Sequence, residues 1–360
     1  MLTELFSREL SFIMRAPAGS FTTMSSPISI SLLVSRGMPK SILMSVLVLM
    51  VTAFLTANEK GKAKHISISQ VVALEEKDEF IKVGEITADS KNNIYVSDDY
   101  AYSVKRFNPD GIFQHEFGRR GKQDGEFRSF LFRMICSKDT LAISELGNSR
   151  VLFFTSEGKF IRKFSVAGTI VDIVFDEKRR IYASLMPLSK KNGDYVLLYD
   201  NLGRMVSSVL LQHLSTEKSF NMVQLAVDEK NNLIVAYHFM NQIEVFDETQ
   251  KQIAEFTIRG LPEKSPAVKS TYEELGSIPQ GEIIKDIAVD PKGNIFVLAG
   301  DYAIHPSKDV FVLDAMGHQI TNFVLPSRTG FIYIDSRGFL YTREKERTIV
   351  KKYRMVYHGF

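Results

Sequence analysis

The chain holds no tryptophan and a single cysteine among its 360 residues. One thiol makes no internal disulfide and builds no cysteine zinc site. Cys136 follows Met134 and Ile135, an apolar setting that reads as a buried and inert thiol. An excess of charge of one sign is also missing: 45 basic against 42 acidic residues leave a formal charge of +3. No global field therefore gathers nucleic acid or an acidic membrane surface. No window carries a sustained helical period, so helical folds are set aside. What the chain does have is 26 Phe and 13 Tyr among many Val and Ile, a composition suited to strands. An apolar fraction of 44% permits a full core.

One long apolar run stands apart, "SILMSVLVLMVTAFL" at 41–55. Arg36 and Lys40 precede it and "TANEKGKAKH" follows. A basic start, an apolar stretch and a small-residue exit describe a secretory signal. A membrane helix takes about 20 residues, so an uncleaved anchor is the second reading. The expected organisation is a leader or mis-assigned start at 1–37, a signal peptide at 38–57, a linker at 58–64, and one folded domain at 65–360. Export places that domain in the periplasm, outside the cell or on the outer side of a membrane. The only contact with a membrane would run through an uncleaved N-terminal segment.

The remainder repeats itself. An apolar strand, an Asp, a polar turn and a second apolar strand recur in "EITADSKNNIYVSD" (85–98), "VDIVFDEKRRIYAS" (171–184), "VQLAVDEKNNLIVA" (223–236), "IKDIAVDPKGNIFVL" (284–298) and "GFIYIDSRGFLYTR" (330–343). "RMICSKDTLAIS" (133–144) fits with Ser137 in the Asp place. Each copy is a hairpin with turn chemistry at its centre. A second hairpin follows each of the first five, for example "VKRFNPDGIFQHEF" (104–117). Six units of four short antiparallel strands predict an all-β, six-bladed β-propeller. The sixth unit lacks a fourth strand, and "HISISQVVAL" (65–74) has no hairpin partner. An open ring leaves unpaired edges, so this N-terminal strand is expected to close the last blade beside 348–356.

"FGRRGKQDGEF" (117–127) followed by "GNSRVLFF" (147–154) resembles the NHL repeat, a propeller blade type. Gly118, Gly121, Gly125, Phe127, Gly147, Asn148, Arg150, Val151 and Phe154 carry the resemblance, and the other units share only the strand plan. The resemblance implies a binding platform for proteins or RNA. A related enzyme, the peptidylamidoglycolate lyase, holds a metal on its propeller axis. The glycines do not form a phosphate loop: only two residues separate Gly118 from Gly121, and a strand follows instead of a helix. They are expected to permit positive φ in a blade-to-blade crossover. In the motif, Asn148 and Arg150 are expected to brace their own blade.

If strands run outward within each blade, the loops between second and third strands share one face with the crossovers. Those loops are rich in Tyr, His, Asp and Asn, which suits ligand binding. The candidate residues are Asp99, Tyr100, Tyr102, Tyr237, His238, Asp301, Tyr302 and His305, with Tyr100, Tyr237, His238 and Tyr302 rimming the channel mouth. The expected ligand is a protein, peptide or glycan, and no nucleic acid. The protein is expected to be a monomer with no cofactor and no catalytic residue. The alternative is a lyase or hydrolase with a divalent metal on the axis. His238 and His305 alone fall on the candidate face, short of the three protein ligands such a centre takes. Asp98, Asp99 and Asp301 are the acids available for calcium there.

Overall fold

The computed structural model describes residues 64–74, 80–187, 195–271, 276–300, 308–344 and 348–359. The leader, the signal segment and nearly all of the linker lie outside the described residues, as do Asp301, Tyr302 and His305. Among the described residues no helix is long and apolar enough to cross a membrane.

Six four-stranded antiparallel sheets form the blades. Blade 1 runs Val83–Ala88, Ile94–Asp98, Ser103–Phe107 and Phe113–Phe117. Blade 2 runs Leu131–Ser137, Thr140–Glu145, Asn148–Thr155 and Phe160–Ser165. Blade 3 runs Ile170–Phe175, Ile181–Leu185, Val196–Tyr199 and Met205–Val209. Blade 4 runs Val223–Val227, Leu233–Tyr237, Ile243–Phe246 and Gln252–Phe256. Blade 5 runs Ile284–Val289, Ile295–Ala299, Asp309–Leu313 and Gln319–Val324. Blade 6 takes Ile332–Ile334, Phe339–Glu344 and Ile349–His358 from the C-terminus and His65–Leu74 from the N-terminus.

The N-terminal strand is therefore the outer strand of the last blade. It pairs antiparallel with Ile349–His358, from His65 opposite His358 to Leu74 opposite Val350. The rings of His65 and His358 stack at 4.4 Å, and Ile66 and Leu74 are buried. This pairing joins the two chain ends and removes an exposed edge.

The core is divided among the blade interfaces. Tyr95 and Val104 of blade 1 pack with Met134, Leu141 and Leu152 of blade 2. Tyr182 and Leu198 of blade 3 pack with Val223 and Val235 of blade 4. Leu74, Tyr341 and Val350 pack with Val83, Val96 and Phe107, closing the ring between blades 6 and 1. The Asp that ends the inner strand builds the next turn. Asp228 Oδ1 accepts from the Lys230 and Asn232 amides at 2.9 and 2.8 Å, while Asn231 adopts φ 63°. Asp89, Asp290 and Asp335 are buried in the same way. Blade 2 departs from this plan: Ser137 pairs with Thr140 across a two-residue turn, with Lys138 at φ 45° and Asp139 at φ 64°.

The glycine loop is a crossover between blades 1 and 2. Gly118 (φ 95°) and Gly125 (φ 81°) occupy the left-handed region, and a Cβ on Gly118 would fall 2.7 Å from the Phe127 ring. Phe127 closes the loop, donating its amide to Arg119 O and accepting from the Gly121 amide, each at 2.9 Å.

Candidate functional site

Inner strands line the axis, and every second residue faces it. The inward set nearest one mouth comprises Glu85, Arg133, Asp172, Gln224 and Asp286, with Phe331 in blade 6. Each stands four residues before the turn Asp, or before Ser137 in blade 2. Below them Thr87, Ile135, Val174, Ala226, Ala288 and Tyr333 form a mostly apolar layer around a cavity of about 200 Å³. Irregular pairing accompanies the polar layer, with register shifts between Leu131 and Arg133, Ile170 and Asp172, and Ile284 and Asp286.

Arg133 organises this layer. Its guanidinium lies 3.3 Å from the Glu85 carboxylate, 3.4 Å from Asp172 and 3.3 Å from Gln224 Oε1, and donates to Val171 O at 3.0 Å. Gln224 Nε2 donates in turn to Asp286 Oδ1. Asp172 Oδ2 accepts the Leu225 amide of blade 4, and Asp286 Oδ2 accepts the Ile332 amide of blade 6, each at 2.8 Å. The polar ring thus ties blade to blade. Burial pushes Asp172 up to about 6 despite the opposing pull of Arg133. Burial likewise pushes Asp286 up to about 7 against Arg133. Arg343 of blade 6 donates to Gly84 O at 2.6 Å and approaches Glu85 at 3.5 Å.

Above this ring, between blades 1 and 2, a cleft of about 330 Å³ opens at the mouth. Its floor is Glu85, Arg133 and Arg343, and its walls are Lys82, Asp99, Tyr100, Phe130, Leu131, Phe132 and Leu146. Tyr100 is 48% exposed and Leu146 45% exposed, large apolar groups left facing water. The Tyr100 ring meets Phe130 edge-on at 5.0 Å and sits under the Lys82 ammonium at 4.7 Å. Tyr102, held at φ 58°, stacks on the other side of Phe130 at 5.3 Å. The cleft thus offers aromatic faces beside fixed charges.

The sequence candidates separate on this frame. Asp99 and Tyr100 line the cleft, and Tyr102 supports it from behind. Tyr237 does not rim the channel. It is fully buried between blades 3 and 4, and its hydroxyl donates to Glu244 at 2.9 Å. Its place at the end of a strand turned the side chain into the interface instead of toward the mouth. His238 is also buried, because the crossover into blade 5 covers it: its carbonyl accepts from the Ile283 amide at 2.6 Å. Its Nδ1 donates to Ile284 O at 3.0 Å. Burial and then Arg133 push its pKa down to about 3, so the ring is neutral and its 3.8 Å approach to Glu282 is no ion pair. Asp98 is consumed by structure, accepting from the Ile81, Lys82 and Ala101 amides. Arg150 braces the crossover: it pairs with Glu145 and donates to Glu126 O at 2.9 Å. Burial raises the Cys136 thiol to about 12, with Asp89 and Asp139 adding to the effect.

Sequence reasoning missed Arg133, Glu85, Phe130 and Phe132. The signal was present: aligning the six repeats on the turn Asp places a polar residue four positions earlier in five of them. Among the described residues no group of three or more His, Cys, Asp or Glu is arranged to hold a metal ion. The cation at the centre of the acidic ring is Arg133 itself.

The model of the DUF5128 family, described as a 6-bladed beta-propeller, matches residues 45–269. A Bacteroides fragilis protein described as exported superposes with a TM-score of 0.57 at 13% identity, over 81% of this chain and 95% of its own. A Bacteroides vulgatus member of the duf4221 family gives 0.57 at 12% identity, over 82% and 99%. Virginiamycin B lyase from Staphylococcus aureus gives 0.51 at 13% identity, over 81% and 100%. At these identities the likeness is one of fold. Comparison with curated proteins finds no match.

Proposed function

Since the chain belongs to the DUF5128 family of six-bladed propellers, we propose that it is an exported binding platform whose ligand seats in the mouth cleft between blades 1 and 2. The observation that carries this reading is the aromatic wall of exposed Tyr100 with half-buried Phe130 and Phe132, set against the charged floor of Arg133, Glu85 and Arg343. Aromatic side chains bury large area at low entropic cost and concentrate binding energy. Fixed charges at the floor orient a polar ligand. The ligand class is a protein segment, peptide or glycan, in keeping with the NHL-like motif and with the apolar run at 41–55 as an export signal.

A metal-dependent lyase on the axis is disfavoured by Arg133. A divalent cation placed between Glu85 and Asp172 would meet a guanidinium already bound to both. Screening glycan and peptide arrays with wild type and with Tyr100→Ala tests the proposal. At least one ligand is expected to bind wild type and to lose about 1–3 kcal/mol of affinity in the variant. Binding unaffected by Tyr100→Ala and Phe132→Ala would place the ligand elsewhere.

A further inference from the structure

On the opposite face, where the turns built on the buried Asp lie, blade 2 breaks the pattern. Five blades end the inner strand with a buried Asp, and three of these have a cation at hand. Arg106 lies 3.9 Å from Asp89, Arg180 2.6 Å from Asp176 and Arg337 3.9 Å from Asp335. In blade 2 the residue is Ser137, which supplies no charge. Two basic side chains from other positions nevertheless reach this gap. Arg162, on the outer strand, lies with its guanidinium 3.7 Å from the centre of the Phe153 ring. Its Nη1 is fully buried and makes no hydrogen bond. A buried guanidinium donor without an acceptor is costly and calls for one. Burial lowers its hold on its proton, opposed only by Asp200, which is already engaged by Arg204 at 2.7 Å.

Blade 3 brings a second guanidinium to the same place. Arg179 stands at φ 61° in its turn and makes one long hydrogen bond, 3.4 Å, to Lys138 O. Neither Arg162 nor Arg179 forms an ion pair among the described residues. Between them lies a cleft of about 200 Å³ whose remaining walls include Phe153, Ile161, Phe175, Ser137 and Asn201. The hydroxyl and amide add neutral hydrogen-bonding groups. Three of the eight lining residues are apolar, three are neutral and polar, and the two charged ones are both basic.

We propose that this cleft binds a small organic oxyanion, a carboxylate or phosphate group carried on a compact apolar body. Arg162 and Arg179 hold the oxyanion in the place where the other blades keep their own carboxylate. Phe153, Ile161 and Phe175 take the apolar body. Guanidinium groups match both planar and tetrahedral oxyanions, so the chemistry of the arginines is shared and the probes must separate the two.

Isothermal titration of the folded propeller with benzoate, phenyl phosphate and neutral benzyl alcohol tests this. Saturable binding of at least one anion is expected at one site per chain, with the alcohol about tenfold or more weaker. Benzoate alone assigns a carboxylate ligand and phenyl phosphate alone a phosphate ester. Arg162→Gln is expected to weaken the anion by about tenfold or more. Ser137→Asp is expected to do the same while the melting temperature holds or rises, because the blade then supplies its own acid. If Arg162→Gln fails to fold, Arg179→Gln on the adjoining turn carries the same expectation. No saturable binding of either anion to wild type, or binding that survives both arginine substitutions, overturns the proposal.

Discussion

Replacing Arg133 with Met removes the one cation that both Glu85 and Asp172 share. Met keeps an unbranched side chain of similar reach, so packing changes little. The wild-type guanidinium lies 3.3 Å from Glu85 and 3.4 Å from Asp172. At an effective dielectric of about 20 each contact is worth roughly 5 kcal/mol before desolvation is subtracted. Breaking a buried pair by removing one partner costs about 3–5 kcal/mol, and two acids are orphaned here. A loss near 5 kcal/mol, or about 10 °C in melting temperature, is expected at pH 8. The pH dependence is the sharper test. Asp172 and Asp286 have folded pKa values of about 6 and about 7, raised above their unfolded value. Their contribution to stability is present below about pH 4 and is lost as pH rises through 6 to 7. Without Arg133 both rise further, so the acids stay protonated to higher pH in the variant. The difference between variant and wild type should therefore shrink toward pH 5, where Asp172 and Asp286 are largely protonated in wild type and the lost contact with Glu85 is what remains. Urea denaturation at pH 5 and pH 8, followed by circular dichroism or tyrosine fluorescence, measures this. A penalty that is the same at both pH values would refute the electrostatic account of the ring.

Deleting 65–74 removes the buried Ile66 and Leu74 and leaves Ile349–His358 an open edge. The expected loss is on the order of 3–6 kcal/mol from the two side chains alone, with dye-accessible apolar surface, and an unchanged melting temperature would contradict the closure. Tyr237→Ala is expected to cost about 3–5 kcal/mol by opening the interface between blades 3 and 4, and thermal denaturation checks it. Lys91→Ala and Lys230→Ala, in solvent-exposed turns, are expected to stay within about 0.5 kcal/mol of wild type in the same assay. Tyr100→Ala should also leave stability nearly unchanged, since the ring is half exposed, while altering ligand binding.

The fold was legible because a propeller repeats its physics. The Asp turn and paired apolar strands recur at 85–98, 171–184, 223–236, 284–298 and 330–343, and each repeat reinforces the reading of the others. The unpaired strand 65–74 was legible for a related reason: a ring with an open edge is unstable, and only that segment had the alternation to close it. The site was less legible. Tyr237 and His238 sit at a strand end, where a single residue of register decides between mouth and interface. Tyr237 went to the interface, and His238 was covered by the crossover at Ile283 and Ile284. Phe130 and Phe132 read as core aromatics, and only the arrangement of blades 1 and 2 brings them beside Tyr100. The significance of Ser137 was visible as a broken repeat, but Arg162 reaches that gap from a strand 25 residues away (137 to 162).

Hydrogen exchange, measured on the propeller with and without the tightest ligand found on the arrays, tests the central claim most directly. Binding in the mouth cleft predicts protection of 82–102 and 128–133, with the turns at 89–93 excepted. Protection confined to the turns at 89–93 and 228–232, or to the cleft of Arg162 and Arg179, would contradict it and assign the ligand to the opposite face.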